Sequence, residues 1–264
     1  MIVITQECGN IMSSISSPRI NVMLESIKSA SKQLMRDFNE LQIYNIRSED
    51  FINKTYSRSQ NMIQEYLFNY KKDYGFIYEN EQEETVSRDY NWFILPIESK
   101  ENFSSCIVYF AISVCLIYKN KVIAVVIDAP ALRETFWAEE KKGAFLEDAR
   151  SRNVKLRTKN RSGGLIDISS NLLHRVSSHN MNIRSIGSSV LGFVYLATDR
   201  YTGLIYSGIN KYKTLLGRLF LEESGGSIIE HQDLIIAGNV QLENHDSLIG
   251  IDNDLKTLTK DSAK

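Results

Sequence analysis

The amino-acid sequence predicts an α/β protein made of two packed subdomains. Apolar residues at helical spacing fill the first part of the chain, short β-branched and aromatic runs follow, and the second half alternates apolar runs with amphipathic stretches. Successive short runs are typical of an antiparallel sheet, and alternation is typical of a layer of strands covered by helices. The two patterns meet between residues 150 and 164, where the sequence becomes polar and contains glycine.

This change of pattern predicts the domain boundaries. We expect a loose N-terminal arm over residues 1–18, which includes the serine-rich stretch 13–17. We expect an N-terminal α/β subdomain with an antiparallel sheet over 19–155 and a C-terminal α/β subdomain over 156–264.

The N-terminal subdomain is predicted to begin with two helices and to continue as a sheet. From Ile20 to Phe38 the apolar residues recur every three or four positions, which predicts the first helix. The other predicted elements are a helix over 57–70, a strand over 74–78, an acidic loop over 79–84, a strand over 92–95 ended by Pro96, strands over 108–118 and 122–127 joined by a turn, and strands over 135–138 and 143–146.

The C-terminal subdomain is predicted to alternate strands and helices. Its predicted strands are 165–168, 203–206, 228–229 and 234–237, and its predicted helices are 187–199 and 213–223. The pair Gly225-Gly226 is a typical stop for the second of these helices.

Composition excludes several classes of protein. The 31 basic and 32 acidic residues give a net charge of -1, so there is no overall attraction to nucleic acid or to an anionic membrane. The three cysteines, Cys8, Cys106 and Cys115, show no metal-binding spacing, and we interpret the last two as buried thiols of a protein in the reducing cytoplasm. No segment is long and apolar enough to span a bilayer.

The segment 92–103, W-F-I-L-P-I-E-S-K-E-N-F, resembles the signature of the inositol monophosphatase family, W-x-x-D-P-[IL]-D-G-T-x-N-F. The tryptophan, proline, branched residue, asparagine and phenylalanine match, whereas both aspartates, the glycine and the threonine are replaced. Further segments resemble the family in its own order and at compatible spacing: 74–79, 110–113, 138–145, 184–188, 223–226 and 237–239. The resemblance covers roughly residues 20 to 250.

The resemblance implies a fold and an activity. The family fold is a layered α-β-α-β-α arrangement of two subdomains, usually paired as a homodimer. Family members hydrolyse phosphate monoesters with Mg²⁺, which activates a water and neutralises charge developing on the phosphate. One glutamate and two signature aspartates hold the metals, together with a third aspartate from a W-D pair that opens a late helix.

The metal-binding positions of the family are only partly kept in this chain. The glutamate matches Glu79, and the second signature aspartate falls on Glu98, which is one methylene longer. The first signature aspartate falls on Leu95, which cannot bind a metal, and the late aspartate falls on Lys213. Ile97 retains a backbone carbonyl that a metal could use, so any residual site would consist of Glu79, Ile97 and Glu98.

The positions that surround the phosphate and the substrate also differ. The former pocket falls on Ser99, Lys100, Gly187, Ser188 and Tyr206. Among these, Lys100 replaces the signature threonine and Tyr206 replaces an acidic residue that reads a sugar hydroxyl. The family's T-x-x-D, which orients the water-activating threonine, falls on residues 53–56, N-K-T-Y.

Charge predicts the consequence of these replacements. Two carboxylates, Glu79 and Glu98, face two ammonium groups, Lys100 and Lys213, so the site sums to zero without a metal. An ammonium at about 4 Å from a divalent ion costs about 8 kcal/mol at an effective dielectric constant near 20. We therefore expect Lys213 to pair with Glu98 or Glu79 in place of Mg²⁺, with solvated Lys213 and an acidic surface loop at Glu79 as the alternatives.

Three functional interpretations follow. The first is a non-catalytic binding or regulatory protein without a cofactor, which resembles a bacterial relative, the extragenic suppressor protein, that acts with RNA polymerase in antitermination. The second is a phosphatase for inositol-1-phosphate or a related sugar phosphate, with one Mg²⁺ in a rebuilt site to which Glu101 or Asp128 could contribute only if the loops allow. The third is an enzyme that uses lysine to bind phosphate or transfer protons. The expected partners are a second copy of the chain, a transcription-machinery protein and a small phosphorylated ligand.

Overall fold

The computed structural model describes residues 16–45, 48–79, 88–148, 150, 152–159, 163–174 and 182–239. Within these ranges the chain forms two β-sheets and five α-helices. Cys8, residues 80–84 of the predicted acidic loop and most of the predicted N-terminal arm lie outside them. The chain passes from the first sheet to the second between residues 155 and 165, and the subdomain boundary itself stays a prediction.

Two long helices begin the described chain. Helix α1 is Pro18–Tyr44, where Ser17 caps the first turn by accepting a hydrogen bond from the Ile20 amide. Helix α2 is Glu49–Tyr70, capped in the same way by Ser48. Helix α2 starts eight residues earlier than the sequence pattern predicts, because the polar first turns carry only isolated buried residues such as Ile52.

The first sheet has seven strands in the order β1 to β7. Its strands are β1 Gly75–Tyr78, β2 Tyr90–Glu98, β3 Ala111–Tyr118, β4 Lys121–Ala129, β5 Glu134–Glu139, β6 Gly143–Glu147 and β7 Asn153–Lys155. The pair β1–β2 is parallel, and the others form the predicted antiparallel meander. The short helix α3, Lys100–Ser104, follows β2.

The end of strand β2 corrects one prediction. Pro96 does not end the strand, which continues to Glu98. The pairing register of β2 on β3 shifts between Leu95 and Glu98, and such a bulge accommodates a proline, which has no amide hydrogen to donate. The bulge directs the last residues of the strand toward the cavity described below.

The second sheet has five strands in the order β11-β12-β10-β8-β9. Its strands are β8 Leu165–Ile168, β9 Asn182–Arg184, β10 Gly203–Ser207, β11 Ser227–His231 and β12 Leu234–Gly238. Helix α4 is Ser189–Ala197, and helix α5 is Lys211–Ser224, which ends at Gly225 in a left-handed conformation. This alternation confirms the predicted α/β layer.

The layers pack in the order α1 and α2, first sheet, α4 and α5, second sheet. Alternate residues of β2 separate two apolar clusters: Trp92 and Ile94 pack with α1 and α2, whereas Phe93 and Leu95 pack with α4 and α5. Tyr206 and Ile235 of the second sheet join the latter cluster. The fold is therefore the predicted layered α/β arrangement.

The two cysteines of the described chain differ in burial. Cys115 is buried in β3 as predicted, but Cys106 is only partly buried, because it lies in the turn after α3 with a φ of 61°. Among the described residues, no helix is long and apolar enough to cross a membrane.

Candidate functional site

A cavity of about 920 Å³ opens between the end of β2, the entry to α4 and the start of α5. Residues from both sheets line it. Among them are nine of the positions that the sequence singled out: Glu79, Ile97, Glu98, Ser99, Lys100, Gly187, Ser188, Tyr206 and Lys213. The cavity is large enough for a small organic ligand.

Lys213 lies at the centre of the charged residues in this cavity. Its Nζ is 2.6 Å from Glu79 Oε1 and 3.8 Å from Glu98 Oε1. Only 15% of the Lys213 side chain is exposed, compared with 22% for Glu79 and 3% for Glu98. Lys213 therefore forms the ion pair that the sequence predicted, and it does not point into solvent.

Glu98 is more deeply buried than Lys213 and Glu79. Burial raises the pKa of Glu98, and the nearby Lys213 ammonium and the hydrogen bond from Ser188 oppose that effect only in part. The Ser188 hydroxyl donates to Glu98 Oε2 at 2.5 Å and also caps α4 by accepting from the Leu191 amide. Burial acts to lower the pKa of Lys213, but the carboxylates of Glu98 and Glu79 outweigh it, so the pKa is raised.

The start of helix α5 is built to hold this lysine. Asn210 caps the helix by accepting from the Tyr212 amide, and its side-chain amide donates to the backbone carbonyl of Glu79 at 3.2 Å. Asn210 thus ties the end of β1 to the start of α5. A cation in the first turn is disfavoured by the positive end of the helix dipole, so the two carboxylates stabilise Lys213 against that field.

Lys100 has a different neighbour from the one its charge predicts. Its Nζ lies 3.7 Å from the centroid of the Tyr56 ring, a cation–π geometry. Burial, with the Glu79 charge as a smaller contribution, raises the pKa of Tyr56 to about 12. By the resemblance, Lys100 falls on the signature threonine and Tyr56 on the aspartate of the T-x-x-D, so an ammonium over an aromatic ring lies at these two positions.

Two predicted positions do not face this cavity. Leu95 is fully buried in the apolar cluster with α4 and α5 and is absent from the cavity lining. Asp128 lies elsewhere, on the face of the first sheet covered by α1, where it accepts hydrogen bonds from Ser31 at 2.5 Å and Thr135 at 2.7 Å. The suggestion that Asp128 contributes to the site is therefore wrong, because β4 directs its side chain toward α1.

The signature segment joins the two sheets at the cavity. Ser99 Oγ donates to the Gly187 carbonyl at 2.8 Å, and the Asn102 side-chain amide donates to the carbonyls of Ile186 at 2.8 Å and Tyr109 at 2.7 Å. Gly187 has a φ of 74°, and a Cβ there would lie 3.2 Å from the Asn102 side chain. The glycine is thus required by both conformation and space.

Sequence reasoning missed one acidic residue of the cavity. Tyr206, which replaces the family's sugar-binding acid, donates its hydroxyl to Asp167 Oδ2 at 2.5 Å, and the Ile186 amide donates to the other carboxylate oxygen. Burial raises the pKa of Asp167 to about 6. A single carboxylate in the apolar run 165–168 was the signal available in the sequence.

The donor set of the cavity does not match what Mg²⁺ requires. Mg²⁺ takes six oxygen ligands in near-octahedral geometry, and here an ammonium lies within 4 Å of both remaining metal-position carboxylates. Among the residues that the structure describes, no three His, Cys, Asp or Glu side chains are grouped closely enough to hold a metal ion.

The chain is similar to known proteins over most of its length. The sequence model of the inositol monophosphatase family matches residues 16–251. An inositol-1-monophosphatase of Rhizobium meliloti is 31% identical over 230 residues, which cover 80% of this chain and 84% of that protein. The Nus factor SuhB of Pseudomonas aeruginosa is 25% identical over 256 residues, which cover 85% of this chain and 92% of that protein.

Solved structures agree with the sequence comparisons. The crystal structure of the extragenic suppressor protein SuhB from Bartonella henselae superposes with a TM-score of 0.74 at 25% identity, covering 91% of this chain and all of that chain (100%). The Thermotoga maritima inositol monophosphatase gives a TM-score of 0.75 at 20% identity and covers 91% of this chain and 99% of that chain. Sequence and fold together show that this chain belongs to the inositol monophosphatase family.

Proposed function

We propose that this chain has lost the Mg²⁺-dependent hydrolysis of phosphate monoesters and acts as a non-catalytic binding or regulatory protein. The observation that carries the proposal is the 2.6 Å contact between Lys213 Nζ and Glu79 Oε1. The ammonium neutralises the carboxylate that the resemblance assigns to the metal, and it stands where the family has an aspartate. Displacing it would require separating a pair that is mostly shielded from water.

The energetics favour the ammonium over the metal. A divalent ion at about 4 Å from Lys213 would meet a repulsion of about 8 kcal/mol at an effective dielectric constant near 20. Leu95 offers no oxygen that could compensate, because it is a hydrocarbon side chain in the core. Without the metal, the site lacks the group that lowers the pKa of an attacking water in metal-dependent hydrolysis.

A transcription-machinery protein is the partner class we propose for the regulatory role, and a homodimer is the proposed assembly. The support is the similarity to relatives named Nus factor SuhB, a name that refers to a Nus factor rather than to a phosphatase. Co-purification with RNA polymerase from cells that express the tagged full chain tests the partner. Recovery of the polymerase supports it, and its absence under conditions in which the Pseudomonas aeruginosa relative recovers it argues against it.

The loss of hydrolysis is tested by phosphate release. We expect no Mg²⁺-dependent release from inositol-1-phosphate and no rise in melting temperature with Mg²⁺, while the Rhizobium meliloti relative assayed beside it shows both. The variant Lys213→Asp restores a carboxylate at the family position and should gain a Mg²⁺-dependent rise in melting temperature. Release of phosphate by the wild-type chain that is abolished by a chelator would refute the proposal.

A phosphatase with a rebuilt site is the second candidate, because Glu79, Ile97 and Glu98 all line the same cavity. One Mg²⁺ held by these three residues would have to displace Lys213. Glu98→Gln would then abolish Mg²⁺-dependent phosphate release, whereas under our proposal there is no such release to abolish. Inorganic phosphate bound in the cavity without Mg²⁺ would instead favour the enzyme that uses lysine, since Lys100 and Lys213 lie on its wall together with Arg184.

A further inference from the structure

A second cavity, of about 590 Å³, lies between helix α1 and strands β4 to β7. It shares no lining residue with the cavity of the proposed function. Helix α1 packs against β3 and β4, so the same face of β5, β6 and β7 continues beyond the helix and forms a groove beside it. Leu24, Ile27 and Ser31 of α1 form the wall, and Val126 and Trp137 form the apolar part of the floor.

A polar row crosses the floor of this groove. In the strand register, Asp128 of β4 is opposite Thr135 of β5, Thr135 is opposite Glu147 of β6, and Glu147 is opposite Asn153 of β7. Paired residues of adjacent strands direct their side chains to the same face of a sheet, and all four of these residues line the cavity. Four consecutive strands therefore place two carboxylates, a hydroxyl and an amide side by side.

Some hydrogen-bond acceptors of this row have no donor within the described residues. Asn153 Oδ1 is a buried oxygen without a hydrogen-bond partner in the described part of the chain, and Glu147 has neither a hydrogen bond from its side chain nor an ion pair there. Asp128 is held by the Ser31 and Thr135 hydroxyls and keeps further acceptor capacity, since a carboxylate has about four acceptor positions. A buried acceptor without a donor is costly, so the row favours a ligand that brings N–H groups.

The charge around the row has the same implication. On the helix wall, Lys28 is paired with Glu25 at 3.2 Å, so these two charges offset each other. Lys32 is exposed to solvent, where its field is screened. The floor, in contrast, presents the carboxylates of two partly buried residues, Asp128 and Glu147, and carries no basic side chain among the cavity residues of its strands.

A bare metal ion is a poor match for the row. Asp128 and Glu147 are two strands apart, which is about 10 Å between their backbones, and Asp128 is already oriented by two hydroxyls. No three acidic, histidine or cysteine side chains in the described residues are close enough to hold a metal. An extended organic group with several N–H donors spans the row, and its apolar body can lie on the Trp137 and Val126 floor.

We propose that this groove binds a small organic cation, with an amidinium, guanidinium or primary ammonium group on the Glu147–Asn153 end of the row and an apolar body against Trp137. A planar amidinium or guanidinium suits the row best, because its parallel N–H groups reach a carboxylate and a neighbouring amide oxygen together. The volume of the groove suits a ligand of this size.

Calorimetric titration of the full chain with benzamidine tests the proposal, with benzamide as a neutral ligand of the same shape. We expect benzamidine to bind in a 1:1 ratio and benzamide to bind at least about tenfold more weakly, because it lacks the charge. Glu147→Gln should weaken benzamidine about tenfold or more, and Asn153→Ala should weaken it by a smaller factor. The control Glu65→Gln, an exposed change on α2, should leave the affinity unchanged.

The variants and ligands each have an outcome that would contradict the proposed binding of an organic cation. Asp128→Asn alters the hydrogen bonds from Ser31 and Thr135 and so changes the stability of the fold, whereas Glu147→Gln disturbs no hydrogen bond within the described structure. Equal affinities for benzamidine and benzamide, unchanged binding by Glu147→Gln, or no binding of benzamidine at millimolar concentration would each overturn the proposal. None of these outcomes bears on phosphate release, so the proposed function is tested separately.

Discussion

Lys213 Nζ lies 2.6 Å from Glu79 Oε1, a contact between the first turn of α5 and the end of β1. The two residues are far apart in sequence, and each matches a metal-binding position of the family. Together with Glu98 they form a group in which one ammonium lies between two carboxylates. Under the proposed function, this covalently attached cation takes the place of a bound metal ion.

The variant Lys213→Met tests this role of the lysine. It leaves Glu79 and the buried Glu98 without their counter-charge, so we expect a loss of about 3 kcal/mol in the free energy of unfolding, the lower end of the range for buried pairs. The cost stays at that end because Glu98, whose pKa burial already raises, can take up a proton. Urea denaturation at pH 7 measures this change in the free energy of unfolding.

A control variant and a double variant test whether the loss of stability is specific to the pair of Lys213 and Glu98. Lys28→Met removes an exposed ion pair with Glu25 and should cost less than about 0.5 kcal/mol. The double variant Lys213→Met with Glu98→Gln should be more stable than the sum of the single effects by about 1–2 kcal/mol. Strict additivity would contradict the view that Lys213 is the counter-ion of Glu98.

Asp167 should make the stability depend on pH between about 4 and 6. The pKa of this carboxyl is about 6 in the folded chain, against 3.8 for the ordinary group. Between these values the unfolded chain releases the proton and the folded chain retains it, so rising pH lowers the free energy of unfolding. The contribution of Asp167 is up to about 3 kcal/mol, present below pH 4 and lost as the pH rises past 6.

Urea denaturation at several pH values measures this slope. Asp167→Asn removes the titrating group and should flatten the curve relative to the wild type, whereas the exposed Asp73→Asn should keep the wild-type slope. Burial also raises the pKa of Glu98 and Asp128, so these residues add slopes of the same sign and the difference between variants is the informative quantity. A wild-type slope in Asp167→Asn would show that the proton is lost from another group.

The sequence predicted the fold far better than the details of the site. Periodicity located the helices and the meander because α1 and strands β3 to β6 bury one face or both in a regular pattern. It gave the wrong end for β2, since a bulge that tolerates Pro96 leaves no local signal. The contacts Tyr206–Asp167 and Lys100–Tyr56 join residues from distant elements, and no pattern along the chain specifies which polar side chains meet across a cavity.

Ser99 tests how the chain tolerates the loss of a family glycine. Its φ of 63° is strained for any residue with a Cβ, and its hydroxyl bond to Gly187 offsets that strain. Ser99→Gly relieves the strain and loses the bond, so we expect a change in the free energy of unfolding within about 0.5 kcal/mol. Ser99→Ala keeps the strain and loses the bond, which should cost about 1–2 kcal/mol.

Gln232 provides the matched control for Ser99. It also has a positive φ, of 54°, in the turn between β11 and β12, and its side chain makes no hydrogen bond within the described structure. Gln232→Ala should therefore change the free energy of unfolding by less than about 0.5 kcal/mol. If Ser99→Ala were equally harmless, the bond to Gly187 would have no stabilising role.

Glu223 links two segments that the sequence comparison treated separately. Its carboxylate accepts hydrogen bonds from the Lys141 amide at 2.5 Å and the Gly143 amide at 2.7 Å, in the turn between β5 and β6. Both turn residues have positive φ values, 62° and 103°, so the turn exposes its amides in a conformation that the carboxylate stabilises. Glu223→Ala should cost about 2–3 kcal/mol, and Glu223→Gln, which keeps one acceptor oxygen, about half of that.

Amide hydrogen exchange distinguishes a local effect of Glu223 on the turn from a general loss of stability. In Glu223→Ala the amides of Lys141 and Gly143 should exchange with solvent faster than neighbouring amides of β5 and β6, because they lose their acceptor while the strand ladder remains. The adjacent exposed change Glu222→Gln should leave both the exchange rates and the stability as in the wild type. Unchanged protection at those two amides in Glu223→Ala would mean that the turn holds its shape by itself and that Glu223 does not stabilise the hairpin.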